Sequence, residues 1–93
     1  MAIVKRILLD VLKTHQPNAL DFASQLADLG DAYQVKLLVQ EMDDNTCSII
    51  LEISGDSIDY ETIARHIESM GGSVHSIDEV EVKSSPTDTI SAD

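Results

Sequence analysis

The densest group of chemically able side chains lies in "GGSVHSIDEVEV", residues 71–82, which gathers His75, Ser76, Asp78, Glu79 and Glu81. An imidazole beside carboxylates can move protons or help ligate a cation. Backbone geometry decides which. On a regular strand, residues four apart are separated by about 13 Å, so His75 and Glu79 cannot share one ion, and Asp78 faces away from both. Glu79 and Glu81 are two apart, roughly 7 Å, and share an oxygen-loving cation only with help from a neighbouring strand or subunit. The apolar residues Val74, Ile77, Val80 and Val82 do not keep a period of two. A β-bulge accounts for that slip and would re-aim the polar side chains. Three readings stand: a charged edge strand, a cation or partner contact, and an acid–base site built on His75 with Asp78 or Glu79.

The remaining candidates are weaker. "EMDDNT" (41–46) collects Glu41, Asp43, Asp44 and Asn45 but lacks the later glycine and glutamate of an EF-hand, so it reads as a hairpin turn. His15, His66 and His75 are scattered, and no H-x-x-x-H or C-x-x-C pair suggests zinc. Each reads first as a plain surface histidine, and His15, in the loop after the first strand, could also reach a neighbouring subunit. Cys47 shares a face with Ile49, Leu51 and Ile53 and reads as core. Gly71-Gly72 ends a helix instead of opening one, so it cannot cradle phosphate at a helix N-terminus.

The elements that must position these residues follow from periodicity. In "IVKRILLDVLK", Ile3, Ile7, Leu9 and Val11 oppose Val4, Arg6, Leu8, Asp10 and Leu12, which describes a strand. Asn18 caps a helix whose stripe is Ala19, Leu20, Phe22, Ala23, Leu26, Ala27 and Leu29, with Gly30 as its stop. "AYQVKLLVQEM" and "CSIILEIS" alternate about a short turn and predict a hairpin. Asp59 caps a second helix with the stripe Tyr60, Ile63, Ile67 and Met70, and residues 72–82 supply the last strand. The order β-α-β-β-α-β predicts an α+β, ferredoxin-like domain over residues 1–83, with residues 84–93 as a polar tail. Right-handed crossovers put both helices on one face of a four-stranded antiparallel sheet. The other face is then bare and carries Leu8, Leu12, Leu38 and Ile50 among Arg6, Asp10, Lys36 and Glu52, the mark of a contact surface.

Composition narrows function. The chain has 93 residues and a net charge of −11 from 17 acidic and 6 basic residues, without a basic stripe, which argues against nucleic acid as a partner. Residues 1–40 are neutral overall and residues 41–93 carry the whole excess. One cysteine, no signal-peptide pattern and no long apolar run predict a cytoplasmic protein that does not span a membrane. A domain this small has a marginal core, so self-association would help it.

The segments "LLDVLKTHQP", "VQEMDDNT" and "GGSVHSIDEV", in this order and spacing, resemble a family of small archaeal proteins catalogued as domain of unknown function 211. The resemblance runs from about Ile3 to Val80. It departs where Thr14 stands in place of a usual proline and where "DAYQV" replaces a Gly/Val-rich entry to strand two. It implies a ferredoxin-like fold and a homo-oligomer, and it brings no catalytic residues.

The reading is a non-enzymatic, homo-oligomeric module. A divalent cation, calcium or magnesium, bridging Asp10, Asp78 or Glu79 at subunit contacts would add to assembly. The acidic strand of the second half should meet bases of the first, such as Lys5, Lys13 or Lys36. Contacts between unlike surfaces are heterologous and close into a ring of more than two subunits. The rivals are an enzyme with its His75/Asp78/Glu79 site in an inter-subunit cleft and an interaction subunit of a larger complex.

Overall fold

The computed structural model describes residues 2–84. Its elements are β1 (Ala2–Thr14), α1 (Ala19–Ala27), β2 (Gln34–Met42), β3 (Thr46–Ser54), α2 (Tyr60–Ser69) and β4 (Gly72–Ser84). The strand order is β2-β3-β1-β4, and each neighbouring pair is antiparallel. This is the ferredoxin-like α+β fold. β4 runs through Ser84, and the rest of the tail expected over residues 84–93 lies outside the described residues.

Alternation along the two central strands builds the core. Ile7, Leu9 and Val11 of β1 and Cys47, Ile49, Leu51 and Ile53 of β3 are buried with Phe22 and Leu26 of α1 and Ile63 and Ile67 of α2. Both helices therefore cover one face of the sheet, α1 on the β2 side and α2 on the β4 side. Fully burying each such aliphatic side chain contributes roughly 1.5–3 kcal/mol. Neither Tyr33 nor Val39 is part of that buried set: Tyr33 precedes β2 and packs at its margin, and Val39 stays exposed beside a register shift.

Local chemistry starts and stops the helices. Asn18 Oδ1 accepts the Asp21 N–H at 2.9 Å, and Asp59 Oδ1 accepts the Thr62 N–H at 3.3 Å, so both predicted caps form. α1 stops at Ala27, with Asp28 as its C-cap, before Gly30 is reached. Leu20 is exposed, against the predicted stripe. It sits two positions from Phe22, about 200° around the helix, so the two cannot face the same core. After α2, Gly71 adopts φ +84°, and a Cβ there would lie 2.7 Å from Thr14 Oγ1. That turn feeds β4 directly alongside β1, where the Thr14 N–H donates to the Gly71 carbonyl at 3.3 Å.

Candidate functional site

The slip in β4 is two bulges. Leu8 faces Glu79 and Leu9 faces Ile77, so Asp78 is the extra residue; Asp10 faces Ser76 and Val11 faces Val74, so His75 is the other. The physical reason lies in the apolar spacing. Val74, Ile77 and Val80 must stay opposite Val11, Leu9 and Ile7 on the helix side, yet they are three residues apart. One inserted residue per step restores the face. The polar pairs His75/Ser76 and Asp78/Glu79 are left opposite Asp10 and Leu8, whose side of the sheet is helix-free.

That open face has an ordered layout. In one row Lys36, Glu52, Leu8 and Glu79 are successive cross-strand neighbours; in the next, Leu38, Ile50, Asp10 and Ser76. Arg6 ties the first row together. Its Nε donates to Glu52 Oε2 at 2.7 Å, and its Nη1 donates to Glu79 Oε1. The Arg6 hydrogen bond is the main cause that holds the Glu52 carboxyl below its usual range, with lesser help from the charges of Arg6 and Lys36 against partial desolvation. The two carboxylates hold the Arg6 guanidinium above its usual value in turn, Glu52 more than Glu79.

The second row holds the polar centre. Asp10, Leu12, Ser48 and His75 line a shallow depression of about 300 Å³. His75 thus shares this depression with Asp10, with no hydrogen bond between them among the described residues, while Asp78 Oδ1 accepts the Ser76 hydroxyl at 2.7 Å. Glu79 is engaged by Arg6. The three expected cation ligands therefore have separate surroundings within one chain, and no group of three or more His, Cys, Asp or Glu that could hold a metal occurs among the described residues. Ser48 and His75 share this depression without a hydrogen bond between them among the described residues. They sit on β3 and β4, with β1 between, roughly 10 Å apart at ordinary strand spacing.

The expected contact residues do lie on this face. Leu12 is 44% and Leu38 60% exposed, while Leu8 and Ile50 are half-buried. Three features escaped the sequence reading. Lys13, expected at the surface, is only 3% exposed: its Nζ donates to the carbonyls of Thr14 and Pro17, both at 2.8 Å, and to that of His15 at 3.5 Å. It also lies 5.4 Å from the Phe22 ring centroid. His15 turns inward to its own chain, with Nε2 donating to the Asp43 carbonyl at 2.7 Å in the β2–β3 turn. On the helix side of β4, Ile77, Val80 and Val82 are 50%, 56% and 50% exposed. Their spacing reads as core; only the lengths of the elements reveal that no helix reaches them.

No helix among the described residues is long and apolar enough to cross a membrane. The uncharacterized protein MJ0319 of Methanocaldococcus jannaschii is 42% identical over 77 residues, which cover 83% of this chain and 79% of that protein. The model of the domain-of-unknown-function 211 family, described as "Uncharacterized ArCR", matches residues 5–89, past the point near Val80 where the motif resemblance stopped. On this match the chain belongs to the domain-of-unknown-function 211 family.

Proposed function

We propose that the chain is a non-enzymatic, self-assembling module whose helix-free sheet face is a subunit contact. The observation that carries this is the position of Leu12, Leu38, Leu8 and Ile50 on that face with no helix or strand among the described residues over them. Apolar side chains grouped this way mark an interaction surface, and a 93-residue domain gains from burying them. Strand order supports a heterologous contact. The acids Asp78, Glu79 and Glu81 lie on one edge strand and Lys36 on the other, so unlike edges attract and the assembly closes as a ring of more than two subunits. With Lys13 buried and Lys5 Nζ donating to the Asp56 carbonyl at 3.0 Å, Lys36 is the base left for this role.

A hard cation such as calcium or magnesium fits the same reading as an accessory. Asp10 and Asp78 from adjoining copies would supply the oxygens that one chain does not gather. Nucleic acid is not a partner in this reading, since the charge is −11. The experiment is sedimentation velocity at micromolar chain, with millimolar calcium or with a chelator. The expected result is a mass several times 10.1 kDa. A monomer refutes the module, a two-fold dimer refutes the ring, and a mass and thermal stability indifferent to calcium and chelator refute the cation.

A further inference from the structure

We infer that the open sheet face of one copy seats on the β4 strip Ile77, Val80 and Val82 of the next, a second contact surface on the opposite side of the sheet. The inference rests on the self-assembly reading and names its missing half.

The strip arises from a mismatch of lengths. β4 and β1 each have 13 residues, about 43 Å of strand, whereas α2 has 10, about 15 Å of helix. Because α2 turns directly into β4 at Gly71, it lies over the start of the strand. Val74, under it, packs against the core. Ile77, Val80 and Val82, farther along, have half their surface in water although they pair with Leu9, Ile7 and Val4 on the core side. The β1–β4 ribbon overhangs its own helix layer.

Two apolar surfaces on opposite sides of one sheet constrain assembly. A two-fold contact through either leaves the other exposed. A single kind of contact covers both only if face meets strip and the pattern repeats head to tail. The sizes agree: each surface offers roughly 250 Å² of apolar side chain. Such a contact falls short of the ~1,200 Å² of a stable specific interface and belongs with the weak ones. Each contact is then weak alone, and closure, in which every copy makes two, supplies the rest. Lys36 stands beside Leu38 on the open face, and Glu81, opposite Arg6, points to that same side, so charge adds nothing on the strip and the contact is apolar.

Chemical cross-linking tests this, since it captures weak contacts. Leu38→Cys and Val80→Cys are made singly and together; both positions are exposed, and the native Cys47 is buried. Circular dichroism verifies folding. A short bis-maleimide is then applied at micromolar chain and the products are separated under denaturing conditions. The double variant should give a ladder of several rungs, and each single variant should give at least tenfold less product above 10.1 kDa. Efficient dimer formation by Leu38→Cys alone would establish a face-to-face contact and overturn the inference while sparing self-assembly. Dimer formation by Val80→Cys alone would overturn it as well. So would a double variant that assembles by sedimentation yet yields no ladder. Wild type found only as monomer would remove the underlying reading itself.

Discussion

Lys13 offers the sharpest test of how the fold is held, through Lys13→Met. Methionine keeps the length and apolar stem of lysine and removes the ammonium alone. The wild-type Nζ makes two short charged hydrogen bonds, to the Thr14 and Pro17 carbonyls, a longer one to His15, and a cation–π contact with Phe22. Hydrogen bonds to a charged group contribute about 1.5–3 kcal/mol each. The contact with the ring adds about 0.5–2 kcal/mol. Against this, burying the ammonium costs several kcal/mol, and methionine relieves that cost. The orphaned carbonyls belong to exposed or half-exposed residues and can take up water. The net loss expected is about 2–3 kcal/mol. A 93-residue domain has about 5–14 kcal/mol in total. The urea midpoint should drop by about 2 M and Tm by roughly 10–20 °C. Urea unfolding followed by circular dichroism, at one fixed chain concentration, measures it.

A second readout locates the effect. The carbonyl cluster shapes the loop between β1 and α1, and that loop presents His15 to the β2–β3 turn at Asp43. Amide exchange should therefore quicken at residues 14–18 and again at 43–46, while the middle of β3 stays protected. A stability change below about 0.5 kcal/mol, or faster exchange confined to the loop, would refute the idea that Lys13 organises this end of the sheet.

Three further outcomes follow. Hydrogen bonds hold Glu52 (to Arg6), Asp43 and Asp59 (both chiefly to Thr hydroxyls, Thr46 and Thr62) below the usual carboxylate range. Their stabilisation is therefore full above their unfolded values near 4 and is lost as pH falls through the lower folded values; thermal melts from pH 6 to pH 2 should show it, and Arg6→Met should flatten the slope. Gly71→Ala should cost at least 1–2 kcal/mol in urea unfolding, because φ is +84° and the new Cβ meets Thr14 Oγ1; wild-type stability would refute the strain. Fluorescence anisotropy with duplex and single-stranded probes at physiological salt should detect no sub-micromolar binding, given a charge of −11, and such binding would refute the electrostatic argument.

What was legible in the sequence, and what was not, divides along the range of the forces involved. Strand alternation and the caps at Asn18 and Asp59 depend on neighbours within four residues, and the sequence reading of them agrees with the structure. The bulges were legible as well, since Val74, Ile77 and Val80 cannot share a face at intervals of three without an added residue. The surroundings of His75 were not. Which carboxylate shares its depression depends on the register of β4 against β1, about sixty-five residues away, and that register puts Asp10 there and leaves Asp78 to Ser76. Lys13 was misread for a related reason: on a core face a lysine looks like an error of alternation until three carbonyls from the next turn surround it. The exposure of Ile77, Val80 and Val82 was hidden more deeply, because no local pattern separates a buried strand from one that outruns its helix. A ten-residue helix laid on a thirteen-residue strand leaves well over half the strand's length uncovered. The same shortfall that exposes this strip is what the proposed contact with a second copy would use, so the feature least visible in the sequence is the one that proposal depends on most.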